Sequence, residues 1–210
     1  MKRIIVADDH SYIRLGLIQI LKDEFPFAEI KEIANGIDLI KAVMAEDWDL
    51  IISDLEMPGK NGLEALEKIK ELKPQIPVLM LSIYDEDLYA IRALKAGASG
   101  YLNKNSIPEE LINVIRHIQS GRKYINHETA EMLLKLKEKR MPHETLSNRE
   151  FSIFILLAQG KSVSQIAEQL SIATTTVSTH RSRILEKLHF TNNADLTKYA
   201  IQHHLITGIN

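Results

Sequence analysis

The sequence predicts an α/β fold, a doubly wound sheet of five parallel strands, followed by a smaller all-α domain. In residues 1–121, short apolar runs alternate five times with segments whose apolar positions follow helical spacing. Five such βα units are typical of a parallel sheet with right-handed crossovers. Beyond residue 145, apolar positions recur only at helical spacing, which predicts helices alone.

Five apolar runs are predicted to form the strands, at residues 3–7, 28–34, 50–54, 76–82 and 100–102. A helix should follow each strand, starting near Ser11 as its cap, Gly36, Gly62, Asp85 and Pro108. No Gly-x-Gly-x-x-Gly follows the first strand, so dinucleotide binding is disfavoured. The flavodoxin-like strand order 2-1-3-4-5 remains, and it makes strands one and three neighbours.

Acidic residues end these two strands. Asp8 and Asp9 follow the first strand, and Asp54 ends the third. Converging carboxylates repel each other unless a cation neutralises them, and an all-oxygen anionic pocket suits Mg2+. Asp54 beside such an ion could attack phosphorus and form an aspartyl phosphate. From these residues alone, three unrelated surface acids are an equally good interpretation.

Two further strand ends carry groups suited to a phosphoryl ligand. Ser82 ends the fourth strand with a hydroxyl, and Lys104 follows the fifth with an ammonium. Both could bind phosphoryl oxygens opposite the three carboxylates. Singly, each is usually just solvated, but five suitable groups on four strand ends favour a phosphoryl site.

Composition excludes several classes of protein. The 210 residues suffice for one large or two small domains. The chain has no cysteine, which excludes disulfides and thiolate catalysis and fits a cytoplasmic protein. Neither a membrane-spanning run nor a signal-like start is expected. The net charge of −2 divides into −6 for residues 1–121 and +2 for each of 122–144 and 145–210, which indicates two modules with different partners.

The front module resembles the receiver domain of two-component response regulators over residues 1–121. The resemblance rests on Asp8-Asp9, the Asp54–Gly59 run with Gly62, Ser82, and Gly100–Lys104. It implies Asp54 as the phosphoacceptor, and Mg2+ held by Asp9, Asp54 and the backbone carbonyl of Glu56, with Asp8 assisting through water. It also implies that Lys104 and Ser82 bind the phosphoryl oxygens.

The same resemblance implies a switch, in which Tyr101 moves with Ser82 after phosphorylation. A half-buried strand aromatic is an equally good interpretation of Tyr101. The family often has Pro after the lysine, whereas Asn105 stands here. A cis peptide bond at that point would cost more without proline.

Residues 122–145 are interpreted as a linker. Apolar residues at helical spacing among charges predict one short amphipathic helix over 129–139, and Pro142 follows it.

The back module, residues 146–210, is predicted to be a helix-turn-helix domain. Ser147 and Glu150 have the spacing of a capping box, and short helices are expected at 162–170 and 174–188, joined by three residues. A last helix is predicted at 193–205; it is either a dimer face or packs on the Phe151 helix. A helical hairpin that binds protein is the alternative to DNA binding.

The motifs of residues 146–208 resemble the LuxR-type DNA-binding domain, among them Leu146-Ser147-x-Arg149-Glu150 and 176–180. The resemblance places helix 174–188 in the major groove, with Ser178, Thr179 and Ser182 facing bases. Four basic residues are candidates for phosphate or base contact: Lys161, Arg181, Arg183 and Lys187. Two departures stand out. Ser178 replaces a common Lys, and Ala173 replaces a polar cap that Thr174 is expected to supply.

Together these resemblances imply a transcription factor that a sensor histidine kinase phosphorylates on Asp54. They also imply a homodimer, at least when phosphorylated, that binds a two-fold symmetric site in double-stranded DNA. Beyond its own phosphorylation and dephosphorylation we expect no enzyme activity. One rival is an aspartyl-phosphate phosphatase, which usually needs an Asp-x-Asp pair that Asp54-Leu55-Glu56 lacks. The other is a phosphorylation-independent DNA-binding protein, against which the intact acidic set argues.

Overall fold

The computed structural model describes residues 2–83, 86–108, 110–126, 129–130, 141–203 and 205–206, without the side chains of residues 86–88. The chain divides into two compact units, Met1–Lys135 and Leu136–Asn210. This division lies inside the predicted linker, and the predicted domain limits at 121 and 146 remain predictions. Apart from residues 129 and 130, the predicted linker helix lies outside the described residues.

The first unit contains a sheet of five parallel strands. They are β1 (Arg3–Ala7), β2 (Glu29–Ile33), β3 (Leu50–Asp54), β4 (Val78–Ser82) and β5 (Gly100–Asn103). Their order is β2-β1-β3-β4-β5, so the predicted order is confirmed. In register, Ala7 lies opposite Ser53, Asp54 opposite Leu81, and Ser82 opposite Asn103. The carboxyl ends of four strands therefore meet at one rim.

Five helices connect these strands: α1 (Ser11–Glu24), α2 (Gly36–Ala45), α3 (Gly62–Leu72), α4 (Glu86–Lys95) and α5 (Leu111–Gln119). His10 is the N-cap residue of α1, and its side chain makes no capping hydrogen bond. Ser11 is already the first helical residue, so the prediction that Ser11 caps this helix is wrong. Helix α5 begins three residues after Pro108, which follows a cis peptide bond from Ile107. The predicted helix start at Asp85 lies outside the described residues.

Strands β3 and β4 are buried along their whole length, which explains their uninterrupted apolar sequence. One face of the sheet packs with α1 and α5 into a single cluster that includes Val6, Leu17, Ile52 and Ile115. Alternate strand residues such as Ile51 point to the opposite face. Burial of both faces fixes the register, and the register sets which side chains reach the rim.

The start of the predicted linker is attached to the sheet edge. The backbone N–H of Tyr124 donates to the carbonyl of Ser99 at 2.8 Å, and Tyr124 forms a parallel bridge with Gly100. A Cβ at Gly100 would lie 3.2 Å from the Cβ of Tyr124, so glycine permits this close approach. The Tyr124 hydroxyl donates to Glu110 at 3.3 Å. The sequence did not predict this attachment.

The second unit contains a 3₁₀ turn (Pro142–Thr145) and the helices α6 (Asn148–Ala158), α7 (Val163–Gln169), α8 (Thr174–Leu188) and α9 (Asn193–Gln202). Helix α6 is central, because α8 and α9 both pack against it and its Phe151 and Phe154 are buried. The predicted capping box of Ser147 and Glu150 is present.

The predicted helix-turn-helix consists of α7, residues 170–173 and α8. Ser162 and Gln165 cap α7, and Ser171 in the turn has φ +51°. Ala173 is the N-cap of α8 and makes no side-chain hydrogen bond, while Thr174 is already helical. The prediction that Thr174 caps this helix is therefore wrong.

Candidate functional site

Two buried acids lie side by side at the carboxyl rim of the first unit. Asp8 has no exposed surface and Asp54 is 4% exposed, whereas Asp9 is exposed. The loop after β3 is closed by a hydrogen bond in which the N–H of Gly62 donates to the carbonyl of Leu55 at 2.7 Å. A Cβ at Gly62 would lie 2.0 Å from the carbonyl oxygen of Asp54. Only glycine fits there, and this loop determines the backbone that carries Asp54.

Lys104 bridges the two buried carboxylates. Its Nζ lies 2.7 Å from Oδ2 of Asp8 and 2.8 Å from Oδ2 of Asp54, and its side chain is 6% exposed. The 3₁₀ turn Lys104–Ser106 begins directly after β5, and the Asn103 side chain accepts a hydrogen bond from the Asn105 N–H at 2.9 Å. A single ammonium therefore faces two carboxylates, which leaves net negative charge at the rim.

His10 joins these acids, although the sequence analysis did not select it. Its backbone N–H donates to Oδ1 of Asp8 at 2.8 Å. Its Nδ1 lies 2.9 Å from Asp9 Oδ1, 3.4 Å from Asp8 Oδ1 and 4.0 Å from Asp54 Oδ2. One potential ligand atom from each of these four residues lies within 4.8 Å of the others. The acidic rim, defined by Asp8, Asp9, His10 and Asp54, thus has the donors and the size to hold a divalent cation.

The charges at the acidic rim shift the affinity of its groups for protons. Burial raises the pKa of the Asp54 carboxyl to about 7, with Asp8 and Asp9 adding to the rise and Lys104 opposing it. For Lys104, burial lowers the pKa, but Asp54 and Asp8 outweigh it, and the net shift is upward. The Lys104 ammonium is therefore charged at neutral pH, and a further cation beside Asp54 would favour the ionised form of its carboxyl.

The remaining predicted receiver residues lie on neighbouring strands or loops. Ser82 is the last residue of β4 and is 1% exposed, and Tyr101 in β5 is 5% exposed. Tyr101 is thus buried rather than half-buried. Glu56 is half-buried, two residues beyond Asp54 on the loop that follows β3. Sheet topology brings Ser82 to the rim, whereas Tyr101 lies opposite Met80 in the middle of β4. The roles of these residues remain predictions.

The second unit presents a polar helix surface. On α8, Val177, Ile184 and Leu188 face inward, while the other side of the helix is exposed and polar. The predicted base-facing residues are all on this exposed side: Ser178, Thr179 and Ser182. The hydroxyls of Thr179 and Ser182 donate to backbone carbonyls four residues earlier, at 2.9 and 3.2 Å.

The four predicted basic contact residues differ in their surroundings. Arg183 is exposed. Arg181 is half-buried and donates to Oδ1 of Asn193 at 2.7 Å, which links α8 to the start of α9. Lys187 Nζ lies 2.6 Å from Oε2 of Glu150, a carboxylate in the α6 capping box. Lys161 is half-buried and donates to Gln169 at 2.5 Å. Three of the four therefore have a contact within the unit.

Comparison with known proteins identifies both units. The family model "Response regulator receiver domain" matches residues 4–116, more than half of the chain. The chain belongs to the response regulators. A second family model, "Bacterial regulatory proteins, luxR family", matches residues 144–200 of this response regulator. Family, fold class and the transcription-regulator function are therefore confirmed, and members of this family act as phosphoacceptors and transcription factors rather than enzymes.

Similar proteins cover nearly the whole response regulator. The response regulator UvrY of Escherichia coli K12 is 32% identical over 209 residues, 98% of this chain and 96% of UvrY. GacA of Pseudomonas aeruginosa is 31% identical and covers 98% of each chain. The oxygen regulatory protein NreC of Staphylococcus carnosus is 33% identical, over 97% of this chain and 99% of NreC.

Solved structures show the same architecture. A structure of two RcsB dimers bound to two parallel DNAs has a TM-score of 0.60 and 25% identity, and covers 94% of this response regulator and 97% of that chain. A LuxR-family two-component response regulator from Aurantimonas has a TM-score of 0.59 and 28% identity, over 65% of this chain and 98% of that one. Among the described residues, no helix is both long and apolar enough to cross a membrane.

Proposed function

We propose that this response regulator takes a phosphoryl group from a sensor histidine kinase on Asp54, and that this controls DNA binding by its second unit. The contact of Lys104 with both Asp8 and Asp54 is the observation that carries the proposal. A buried ammonium held against two carboxylates is positioned to bind phosphoryl oxygens once one carboxylate is modified.

We assign the divalent ion as Mg2+. Asp9, Asp54 and the backbone carbonyl of Glu56 would hold it, and Asp8 would assist through water. The acidic rim fits such an ion, because Asp8 and Asp54 are buried and Lys104 alone does not balance the three carboxylates. When bound, Mg2+ supplies charge compensation for the incoming phosphoryl group.

In the Mg2+-dependent phosphoryl transfer, the bonds that form and break are those of Asp54 and its donor. A carboxylate oxygen of Asp54 attacks the phosphorus of a phosphohistidine, an O–P bond forms, and the N–P bond breaks. The kinase imidazole leaves with the electron pair and takes a proton. Ser82 then gains a phosphoryl oxygen as partner, and Tyr101 follows it. Hydrolysis of the aspartyl phosphate resets the protein, and we propose no other reaction.

The second unit is proposed to bind two-fold double-stranded DNA as a homodimer in the cytoplasm. Helix α8 would lie in the major groove with Ser178, Thr179 and Ser182 toward the bases. Arg183 and Lys187 are both exposed, but Lys187 is paired with Glu150, so Arg183 is the basic residue best placed for phosphate. Lys161, Arg181 and Lys187 would have to exchange their contacts within the unit for DNA contacts.

The last helix has one observed role and one proposed role. Leu196, Tyr199 and Ala200 of α9 are buried, and Thr197 donates to the carbonyl of Ala158 at 3.0 Å, so α9 packs on the Phe151 helix. Its opposite side exposes Ala194, Lys198 and Ile201. We propose that this exposed side forms the dimer contact.

Mass spectrometry after incubation with acetyl phosphate and Mg2+ tests the phosphoacceptor. We expect one added phosphoryl group on the wild type and on Asp47→Asn, an acid outside the rim, and none on Asp54→Asn. Equal labelling of Asp54→Asn would refute the assignment. Steady turnover of an external phosphate ester would instead favour the phosphatase class.

A further inference from the structure

We propose that His10 supplies a nitrogen ligand to the cation at the acidic rim, which raises the affinity of this site for first-row transition ions such as Mn2+ and leaves it able to bind Mg2+. The inference deepens, and rests on, the proposed function, since it concerns the ion that serves Asp54. It assigns a specificity-determining role to a residue that the phosphoryl site does not otherwise use.

The spacing of the donor atoms fits one coordination sphere. Around a six-coordinate ion with bonds of about 2.1 Å, neighbouring ligand atoms lie about 3.0 Å apart and opposite ones about 4.2 Å apart. The Nδ1 of His10 lies 2.9 Å from Asp9 Oδ1, 3.4 Å from Asp8 Oδ1 and 4.0 Å from Asp54 Oδ2. These separations are within the range that ligand atoms of one cation have, so the donors of Asp8, Asp9, His10 and Asp54 would be able to hold the same ion.

The backbone holds His10 in this place. Its N–H donates to Asp8 Oδ1 at 2.8 Å, and its carbonyl accepts from the Arg14 N–H at 3.0 Å as the first turn of α1 begins. The Arg14 side chain in turn donates to the carbonyl of Asp8 at 2.6 Å. The residue that joins β1 to α1 is thus tied on both sides, and its ring lies over the acids.

His10 and Lys104 approach different oxygens of Asp8. Lys104 contacts Oδ2, while the backbone and ring of His10 lie at Oδ1. On Asp54, Lys104 already contacts Oδ2 at 2.8 Å, the oxygen that lies 4.0 Å from the His10 ring, so this oxygen would be shared between the ammonium and a cation. The His10 side chain is 63% exposed, so the coordination site is open to water and to a phosphodonor.

Imidazole changes the preference of an otherwise all-oxygen site. Mg2+ prefers oxygen ligands. Imidazole nitrogen binds Ni2+ and Zn2+ more strongly than Mn2+, and it binds Mn2+ more strongly than Mg2+. We expect His10→Gln to weaken Mn2+ binding by about tenfold, as loss of a metal-site partner does. Mg2+ binding should change by less than about twofold, because Mg2+ gains little from the nitrogen. The competing explanation is that the ring pairs with Asp9 as a charged imidazole and binds no ion.

Electron spin echo envelope modulation of Mn2+ bound to the full chain tests the inference directly. The probe is Mn2+ alone, at sub-stoichiometric concentration and then with excess Mg2+. The variants are wild type, His10→Gln, Asp54→Asn, and His189→Asn as a matched control. His189 is an exposed histidine at the C-terminal end of α8. Its backbone has the left-handed αL conformation, which asparagine also adopts readily.

We expect ¹⁴N modulation in wild type and in His189→Asn, and its loss in His10→Gln together with the weaker Mn2+ affinity. A second outcome is that Mn2+ binding requires Asp54 and is displaced by Mg2+, but shows no ¹⁴N modulation. That result would overturn the role of His10 and leave the proposed cation site intact. Mn2+ binding that is indifferent both to Mg2+ and to Asp54→Asn would refute the cation site itself, and the His10 ligand with it.

Discussion

In the metal-free protein, Asp54 is expected to cost stability at neutral and alkaline pH. Its carboxyl is buried beside Asp8, and its pKa is raised to about 7 from 3.8. A folded-state pKa above the unfolded value means that the folded chain holds the proton more tightly. The associated stability is fully present below about pH 4 and is lost as the pH rises through about 7.

The size of this effect follows from the shift. About three pK units at about 1.4 kcal/mol each correspond to about 4 kcal/mol of stability lost between pH 4 and pH 8. Asp54→Asn removes the titrating group and keeps the shape. We therefore expect it to stabilise the first unit by about 2 to 4 kcal/mol at pH 8, since Lys104 retains Asp8 as partner.

Urea unfolding in the presence of a chelator provides the assay. Trp48 is the sole tryptophan of the chain and is buried in the first unit, so its fluorescence follows that unit alone. Unfolding curves at pH 5 and pH 8 give the slope for wild type and for Asp54→Asn. Equal stability of the two proteins at pH 8, or the same pH slope in both, would refute the electrostatic account of the rim. Mg2+ should restore wild-type stability at pH 8 and leave Asp54→Asn almost unchanged.

Four further substitutions have clear expectations. Gly62→Ala should destabilise the first unit by about 3 kcal/mol or more, because its Cβ would lie 2.0 Å from a backbone oxygen. Gly16→Ala has open space around its Cβ and should stabilise α1 by about 0.5 to 1 kcal/mol. Trp48 fluorescence reports the stability of both variants, and equal stabilities would contradict the packing argument. Lys187→Met should destabilise the second unit by about 1 to 2 kcal/mol, since the 5% exposed Glu150 carboxylate loses its ammonium partner and keeps the hydrogen bond from the Ser147 N–H. Amide exchange in α6 measures that loss, and an equal loss in the control Arg183→Met would count against it. Arg183→Ala should weaken DNA binding and lower the slope of log affinity against log salt by about 0.9, while an unchanged slope would place Arg183 off the interface.

Periodicity and strand-end chemistry were sufficient to predict the fold and to place most of the rim. The apolar runs of β3 and β4 are too short for helices and predicted buried strands, and both strands are buried along their whole length. That topology alone places Asp8 beside Asp54. The Ser147 capping box could likewise be predicted, because its partners are three residues apart and local.

Contacts between distant parts of the chain could not be predicted in this way. Glu150 and Lys187 are 37 residues apart, and no local pattern links a capping-box acid to a lysine of another helix. The attachment of Tyr124 to β5 is equally non-local. His10 is different, because its position directly after Asp8-Asp9 was visible, but only the structure shows its ring among the carboxylates. The prediction that Thr174 caps α8 failed because the N-cap residue is Ala173, which has no side-chain hydrogen-bond acceptor.

The central claim is that a phosphoryl group on Asp54 controls the DNA-binding unit. Its most direct test is the affinity of the full-length protein for genomic fragments that it selects, measured at constant salt with and without acetyl phosphate and Mg2+. We predict that phosphorylation tightens wild-type binding by about tenfold, within the usual range of coupling between two sites, and leaves Asp54→Asn unchanged. The same affinity for phosphorylated and unphosphorylated wild-type protein would contradict the account.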